Sequence, residues 1–278
     1  MVDEIKIIAI IGAGFMGKQI IERLAIYNYK IHVFDINPED LDIFIRRLTR
    51  KMKIKGIFSE ITLHSTLSDA VKSVDLIIEA IPEKLELKKD IFSKIDKIAP
   101  PHAIIATNSS SIPISKIEDA VKRKDKVLNI HFYSLILHPM ADIMRGSETS
   151  DNTFEKSKKW LENIEIIPLV VKKECFGFVF NRIWRAIKKE SLKIWAGGYA
   201  DKEDVDEAWK IFSGMRIGPF GQMDRVGLDV VYDIEMMYYK ESGDPNDRPP
   251  QMLKDMVNRG ELGIKSGKGF YKYDQSNN

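Results

Sequence analysis

The feature that most constrains the fold is a glycine-rich turn between an apolar run and a stretch with helical spacing. Residues 5–11 are almost entirely apolar and lead into Gly-x-Gly-x-x-Gly at 12–17, and residues 18–27 follow with the spacing of a helix. A second apolar run, 30–35, then ends in an acid, Asp35. This order is the fingerprint of a dinucleotide-binding βαβ unit. The alternative is a tight strand-to-helix turn in some other α/β protein.

Each position of the turn has a predicted role in binding a dinucleotide. Gly12 allows the tight turn, Gly14 allows close approach of a pyrophosphate, and Gly17 lets the helix pack against the sheet. The N-terminus of the helix presents free N–H groups and the positive end of its dipole to the phosphates. Phe15 and Met16 lie within the turn, and we include them among the predicted cofactor contacts.

The acid at the end of the second strand selects between the two nicotinamide dinucleotides. Asp35 is placed to accept hydrogen bonds from the ribose hydroxyls next to the adenine. Its negative charge would repel a 2′-phosphate, so the predicted cofactor is NAD and not NADP.

Composition excludes several classes of protein. The 278 residues are enough for two domains, and 43 Lys and Arg against 41 Asp and Glu leave a net charge of only +2. A nucleic-acid-binding protein would carry a concentrated basic excess. No apolar run approaches the roughly 20 residues that span a bilayer. The chain enters a strand without a signal peptide, and its single cysteine, Cys175, suits a reducing compartment, so we expect a cytoplasmic protein.

Apolar runs alternate with helical stretches through the first 173 residues. After the two runs already described, further strands are predicted at 61–63, 74–79, 103–107, 126–132 and 164–171, with helices at 38–55, 85–98 and 152–163. Such alternation predicts an α/β fold with a Rossmann-type, doubly wound and mostly parallel sheet. Residues 1–173 are therefore expected to form an NAD-binding domain.

The pattern changes at residue 174. Beyond it, helical spacing continues without strands at 179–196, 202–212 and 227–240. We predict that residues 174–278 form a smaller all-helical domain.

A histidine and an acid are candidates for proton transfer. His131 lies at the end of a predicted strand, where ligands bind in open α/β sheets. A neutral imidazole there can take the proton of an alcohol as hydride leaves for a nicotinamide. Such a base needs a carboxylate partner, and Asp142 is the next acid along the chain. The alternative is that His131 is a core or loop histidine without a catalytic role.

Two other polar positions are candidates for substrate or cofactor binding. In the run 108–111, Ser110 can hydrogen-bond a substrate oxygen and Asn108 is assigned to the cofactor, although the run can equally cap the following turn. Asn181 lies early in a predicted helix, where its side chain would face the domain junction. An ordinary exposed polar position is the alternative for Asn181.

A metal site is not predicted. His138 and Asp142 are four residues apart, as a pair of metal ligands on a helix would be, but no third or fourth ligand accompanies them. The basic residues between 46 and 55 are typical of a solvated helix face or of a surface that attracts a polyanion.

Taken in order, these segments resemble the 3-hydroxyacyl-CoA dehydrogenase family, and the resemblance covers nearly the whole chain. It is carried by 12–17 with Asp35, 79–83, 108–111, 131–133, 148–150, 177–182, 218–220, 224–229 and 260–271. The resemblance implies NAD-dependent interconversion of an L-3-hydroxyacyl-CoA and a 3-oxoacyl-CoA, in fatty-acid β-oxidation. It also implies a homodimer formed through the helical domain.

The resemblance also implies roles for individual residues. His131 matches the general base, Ser110 the serine that hydrogen-bonds the reacting oxygen, and Asn181 an asparagine near that oxygen. Glu83 and Lys88 match residues near the ribose and nicotinamide of NAD.

The chain departs from the family pattern at two places. Ser134 and Leu135 stand where the family has Asn-Pro after the catalytic histidine, so we expect contacts to nicotinamide or substrate that are weaker or differently placed, and the rigid turn of proline is lost. Asp142 stands where the family has a glutamate as partner of that histidine.

Two other functions stay open at this point. The segment after the second strand is shorter than the helical hairpin that covers CoA in the family, which favours a dehydrogenase of a free 3-hydroxy acid. The altered loop at 134–135 would also fit an NAD-binding protein that has lost catalysis.

Overall fold

The apolar runs of the N-terminal part of the chain pair as one sheet in the computed structural model, which describes residues 5–135 and 139–274. Within those ranges the strands are β1 (Ile7–Ile11), β2 (Lys30–Phe34), β3 (Glu60–Leu63), β4 (Leu76–Glu79), β5 (Ile104–Thr107), β6 (Val127–Phe132), β7 (Met140–Arg145) and β8 (Ile167–Val171). Their order is β3-β2-β1-β4-β5-β6-β7-β8, with β6 and β7 antiparallel and the other neighbours parallel. The predicted doubly wound, mostly parallel sheet is confirmed.

Helices cover both faces of the sheet because side chains alternate along each strand. They are α1 (Phe15–Ile26), α2 (Glu39–Ile54), α3 (Leu67–Val71), α4 (Leu85–Ile98) and α5 (Asp151–Asn163). In β1, Ile8 and Ile10 join the core that includes side chains of α1, α2 and α5. Ala9 and Ile11 join the core that includes side chains of α3 and α4. Burial on both faces explains why β1 is apolar without interruption.

The antiparallel strand β7 was not predicted. Its sequence, MADIMR, contains an acid within an apolar run, which hides the strand. Only a short segment connects it to β6, and a connection of that length reverses the chain, whereas a parallel return needs a long crossover. The reversal places Asp142 opposite His131 in the register of the two strands.

The chain divides into two compact units, Met1–Val179 and Phe180–Asn278, a few residues beyond the boundary predicted between 173 and 174. The second unit contains α6 (Phe180–Ala196), α7 (Lys202–Ser213), α8 (Pro219–Val226), α9 (Leu228–Ser242) and α10 (Gln251–Asn258). Phe220, Leu228 and Leu253 are completely buried in its core. The predicted helical second domain is confirmed, although α8 and α10 were not foreseen as separate helices.

Candidate active site

The glycine-rich turn has the shape that a pyrophosphate requires. Gly12 has φ +94°, and a Cβ there would lie 2.6 Å from the carbonyl oxygen of Ala80. A Cβ at Gly17 would lie 2.2 Å from the carbonyl oxygen of Gly12, so neither glycine can carry a side chain. By contrast, a Cβ at Gly14 would meet no described atom within 4 Å. The backbone at Gly14 is thus open to a ligand.

Helix α1 starts inside the turn, three residues earlier than the predicted residue 18. Phe15, Met16 and Gly17 therefore occupy its first turn, where backbone N–H groups lack carbonyl partners within a helix. The first helical bond runs from Lys18 N to the carbonyl oxygen of Gly14 at 3.0 Å. Free N–H groups and the positive end of the helix dipole make this an anion site.

Asp35 is tied to the turn and still has room for a ligand. Its Oδ2 accepts from Ala13 N at 2.6 Å, and its Oδ1 accepts from Asn37 N at 2.8 Å. Each carboxylate oxygen has two acceptor positions, so ribose hydroxyls can bind as well. The side chain thus positions the turn in addition to its predicted role toward NAD.

A cavity of about 570 Å³ opens at the carboxyl edge of the sheet, beside the turn. The predicted site residues that line it are Gly12, Gly14, Met16, Asp35, Glu83, Lys88, Asn108, Ser110 and His131. Ligands of doubly wound sheets bind at this edge, near the point where the strand order reverses, which here lies between β1 and β4. The cavity has the volume usual for small-molecule sites. Its volume, the open backbone at Gly14 and the carboxylate of Asp35 fit a dinucleotide.

A buried ion pair lies next to the cavity and was missed by the sequence reading. Lys88 and Glu79 have 1% and 0% of their side chains exposed, and Lys88 Nζ lies 2.7 Å from Glu79 Oε1. Glu79 also accepts from Thr107 Oγ1 at 2.7 Å and from Ile81 N at 2.8 Å. The feature of the sequence that could have indicated this pair is Glu79, an acid at the end of an otherwise apolar strand.

Glu83 is held by the serines that follow β5. Its Oε1 accepts from Ser109 Oγ, and from Ser111 N and Oγ at 3.0 and 2.7 Å, while Lys88 Nζ lies 3.3 Å from Oε2. Burial raises the pKa of Glu83, but the charge of Lys88 and the serine donors outweigh it and hold the pKa below its usual value. Glu83 is therefore an ionised acceptor at the cavity wall.

The polar run after β5 divides between turn formation and exposure to the cavity. Asn108 Oδ1 accepts from Phe132 N at 2.9 Å and joins the ends of β5 and β6. Ser109 Oγ accepts from Ile112 N at 2.7 Å, which is a capping role. Ser110 is exposed and lines the cavity. Ser109 thus has the capping role, and the hydrogen bond of Ser110 to a substrate oxygen stays a prediction.

His131 and Asp142 form a buried pair at the border of the cavity. They are register partners in β6 and β7, and His131 Nδ1 lies 3.3 Å from Asp142 Oδ2. His131 is 6% exposed and lines the cavity, whereas Asp142 is completely buried behind it. A carboxylate on Nδ1 fixes the tautomer in which Nε2 accepts a proton.

Phe178 covers the imidazole and was not foreseen. Its ring centroid is 5.2 Å from that of His131, with an interplanar angle of 25°, and the side chain is 1% exposed. Phe178 has φ +52°, in the left-handed region that is costly for a bulky residue. Strain of this kind persists where the surroundings hold the residue, often at functional sites. Phe178 restricts the histidine to one ring plane.

Two other candidates have a different outcome. Asn181 is half-buried in the first turn of α6, in the second unit, and its role stays a prediction. The sequence also suggested His138 and Asp142 as a pair of metal ligands on one helix. Asp142 lies in a strand, so that placement is wrong for Asp142. His138 lies outside the described residues. In the described part of the chain no cluster of three or more His, Cys, Asp or Glu could hold a metal.

Comparisons with known proteins agree with this geometry. Residues 7–175 match the family domain described as "3-hydroxyacyl-CoA dehydrogenase, NAD binding domain", and residues 177–273 match "3-hydroxyacyl-CoA dehydrogenase, C-terminal domain". The chain belongs to the 3-hydroxyacyl-CoA dehydrogenase family. The expected NAD cofactor is confirmed by the first of these domains.

Relatives with similar sequence or structure span nearly the whole chain. A 3-hydroxybutyryl-CoA dehydrogenase of Clostridioides difficile is 33% identical, over 96% of this chain and 99% of its own length. The crystal structure of an (S)-3-hydroxybutyryl-CoA dehydrogenase from Ralstonia eutropha has a TM-score of 0.86 at 30% identity, covering 98% and 100% of the two chains. A diketoreductase structure, described as acting on dicarbonyl compounds, has a TM-score of 0.85 at 30% identity, covering 97% and 99%. This member of the 3-hydroxyacyl-CoA dehydrogenase family therefore has relatives with more than one substrate class.

Proposed function

We propose that this chain interconverts an L-3-hydroxyacyl-CoA and the corresponding 3-oxoacyl-CoA with NAD, and that His131 is the general base. The observation that carries the proposal is the buried pair of His131 and Asp142 at the border of the cavity into which the glycine-rich turn opens. Membership of the family supports the reaction class. NAD, when bound, supplies the acceptor for the hydride that leaves carbon 3 of the substrate.

The proton follows a separate path through the side chains. In the oxidation, the O–H bond of the substrate breaks and its proton passes to Nε2 of His131 as the ketone forms. Asp142, on Nδ1, orients the ring and stabilises the imidazolium. In the reduction, the imidazolium returns the proton to the oxygen. Ser110 and Asn181 are proposed to hydrogen-bond that oxygen.

A basic groove supports binding of CoA. Helices α1 and α2 form a groove of about 710 Å³, whose charged lining residues are the basic Lys18, Arg47, Arg50, Lys51 and Lys55 and the acidic Glu22 and Asp40. The five cations outnumber the two acids, so the groove attracts phosphates. We propose that these residues attract the CoA phosphates.

The groove is tested by charge reversal. Arg46 is paired with Asp42, so Arg47→Glu with Arg50→Glu is a sharper change than any that includes Arg46. We expect the KM for an acyl-CoA to rise several-fold at low salt and the difference to shrink at high salt. An unchanged KM at low salt would remove the groove from the proposal.

The reaction itself is tested by following NADH absorbance with acetoacetyl-CoA and, in parallel, with free acetoacetate. Rapid NADH loss with the thioester alone is the expected result. No loss with either compound, while NADH still binds, would contradict the proposed activity and favour an NAD-binding protein without catalysis.

A second candidate function is the dehydrogenation of a free 3-hydroxy acid or related carbonyl compound. It is favoured by the likeness to the diketoreductase and by Ser134 and Leu135 in place of the family's Asn-Pro. Faster NADH loss with free acetoacetate than with the thioester would support this candidate.

A homodimer is proposed through the second unit. Phe212, Ile211 and Tyr199 are 91%, 76% and 85% exposed, and apolar exposure on this scale marks interaction surfaces. A groove of about 590 Å³ lined by Phe212, Trp209 and other residues of the same unit adds to this surface. Light scattering is expected to give twice the chain mass for the wild type.

The dimer has a matched pair of variants. Phe212→Asp should give a monomer, whereas Phe58→Asp, at a 73% exposed position of the first unit, should leave the dimer intact. A wild type that runs as a monomer would contradict the proposal.

A cytoplasmic location is also proposed. The half-buried Cys175 is a free thiol, as a reducing compartment permits. None of the described helices is long and apolar enough to cross a membrane. Fluorescence imaging of a tagged chain in its own cells would test the location.

A further inference from the structure

Tyr133 brings a hydroxyl to the carboxylate that holds His131. Its Oη donates to Asp142 Oδ2 at 2.5 Å, and His131 Nδ1 lies 3.3 Å from the same oxygen. The centroids of the Tyr133 and His131 rings are 4.6 Å apart, with an interplanar angle of 70°. The other carboxylate oxygen, Asp142 Oδ1, is buried without a hydrogen-bond partner among the residues that the structure describes. One oxygen therefore serves both rings.

The strand register explains how the three side chains meet. His131 lies opposite Asp142 across the antiparallel pair of β6 and β7. Tyr133 is two residues after His131, and its N–H donates to the carbonyl oxygen of Met140 at 3.3 Å, so the pairing continues past the end of β6. Side chains two residues apart on an extended chain point to the same face. The phenol thus reaches the carboxylate from the same face as the imidazole.

We propose that Tyr133 is a positioning residue that acts on His131 through Asp142. The hydroxyl holds the carboxylate in one rotamer and takes up part of the negative charge on Oδ2. This inference rests on the proposed function, because it gives His131 the part of a general base. Tyr133 itself needs no contact with substrate.

The direction of the effect follows from electrostatics. Without the phenol, Oδ2 has the imidazole as its remaining described donor, and its undiminished charge favours the imidazolium more strongly. His131 would then keep its proton to a higher pH. The oxidation, which needs a neutral imidazole, would lose rate near neutral pH, and the reduction, which needs the imidazolium, would keep its rate to a higher pH.

Other charged groups near the site are already engaged. Asp35, Glu83 and Lys88 also line the cavity, and each is held by the backbone, serine or ion-pair contacts described above. Phe178, which stacks on His131, carries no charge. Asp142 and Tyr133 are therefore the groups through which the imidazole is expected to respond.

The test is Tyr133→Phe, which removes one oxygen and keeps the ring. In the oxidation, the acid limb of the kcat/KM profile is expected to move up by roughly 0.5 to 1 pH unit, so the rate on that limb, well below its midpoint, falls about three- to tenfold. In the reduction, the rate at pH 9 is expected to stay level or to rise. A purely structural role would lower the rates by the same factor at every pH and leave the shape of the profile unchanged.

A matched control exists in the second unit. Tyr271 Oη donates to the buried Asp206 at 3.0 Å, so Tyr271→Phe removes the same kind of bond from a different carboxylate. Its pH profiles should match those of the wild type. Thermal unfolding of both variants shows whether each one is folded.

A second readout separates this inference from the proposed function. NMR titration of the His131 ring in the wild type and in Tyr133→Phe does not depend on turnover, and the midpoint is expected to rise in the variant. A midpoint that stays or falls would overturn the inference, even if acetoacetyl-CoA is reduced. A wild type without turnover but with the expected rise would instead overturn the proposed function and keep the role of Tyr133.

Discussion

Each unit of the molecule joins an aromatic side chain to a buried aspartate, but the two regions use the pair differently. In the first unit, His131 meets Asp142 at the border of a cavity, and Asp142 Oδ1 receives no hydrogen bond from the described residues. In the second unit, Tyr271 meets Asp206, whose two oxygens also accept from Phe220 N and Gly221 N at 2.7 and 3.0 Å.

The difference shows that burial of a charge does not by itself indicate chemistry. Asp206 satisfies the first N–H groups of α8, which makes it a cap supplied by another helix. Asp142 has its strongest contacts with two side chains, one of which can exchange a proton beside a cavity. A carboxylate saturated by backbone donors stabilises a fold, and one with spare capacity next to a titratable ring can support catalysis.

The largest effect is expected from His131→Ala. Turnover of acetoacetyl-CoA should fall about a thousandfold, because the general base is lost, while NADH binding stays within twofold. Steady-state kinetics and NADH fluorescence measure the two quantities. His102→Ala, at a histidine that is 57% exposed and paired with Asp75, is the control and should keep wild-type turnover. More than a tenth of wild-type turnover in His131→Ala would remove the base from the mechanism.

Much of the first region could be predicted from the sequence, because it depends on local patterns. The glycine spacing and the uninterrupted apolar runs indicated the turn, the sheet and the acid at Asp35. Contacts between strands could not be read in this way. The position of Asp142 opposite His131 depends on the register of β7, and the ring of Phe178 comes from a distant segment.

The second unit was less predictable, because its structure also depends on contacts between residues that are distant in the sequence. Helical spacing showed that helices were present, but the short α8 and α10 are stabilised by tertiary contacts more than by their own pattern. The bond from Asp206 to the start of α8 joins residues in different helices. No spacing rule in the sequence marks such a pair.

Lys88→Met is expected to affect both cofactor binding and stability, because Lys88 lines the cavity and also neutralises a buried acid. Loss of its charge leaves Glu79 buried without its ion-pair partner, so stability should fall by about 3 kcal/mol, with weaker NAD binding. Urea unfolding and NADH titration measure the two effects. The double variant Glu79→Gln with Lys88→Met removes both charges and should recover more than half of the stability.

Lys94→Met tests whether the effect belongs to the buried position. Lys94 lies on the same helix, is 55% exposed and pairs with Asp90, so its loss should change stability by less than about 0.5 kcal/mol. Equal losses for Lys88→Met and Lys94→Met would contradict the importance of the buried pair.

Asp206→Ala should separate stability from catalysis. The change leaves two helix N–H groups without their acceptor and removes the nearer of the two acceptors of the Tyr271 hydroxyl, at a cost of about 2 kcal/mol. Urea unfolding should show this loss, whereas kcat/KM under native conditions stays within twofold. Asp204→Ala, at an exposed position of the same helix, is the control for lost negative charge. A pH profile that moves in Asp206→Ala would break the distinction between the two carboxylates.

The smallest effect concerns Asp247, a carboxylate of the second unit that is bound by cations. Hydrogen bonds from Lys189 and Ser242, with a further bond and charge from Arg185, outweigh burial and hold the pKa of Asp247 well below its ordinary 3.8. Because the folded pKa is the lower one, the ionised group stabilises the fold above pH 3.8, and this stabilisation is lost as the pH falls toward the folded pKa. Asp247→Asn should therefore cost about 1 kcal/mol at neutral pH, with less difference from the wild type in acid.

Urea unfolding at pH 7, 5 and 3 measures that difference, with tryptophan fluorescence as the probe since Trp184, Trp195 and Trp209 lie in the second unit. The gap between wild type and Asp247→Asn should be constant from pH 7 to 5 and clearly smaller at pH 3. Asp255→Asn, at a carboxylate bonded to neutral Gln251, should show little gap at any of the three pH values. An equally large difference in the free energy of unfolding at pH 3 would mean that the charge of Asp247 is not what stabilises the fold. Its cationic neighbours would then contribute through the packing of their side chains, and Asp247 would be a purely structural group like Asp206.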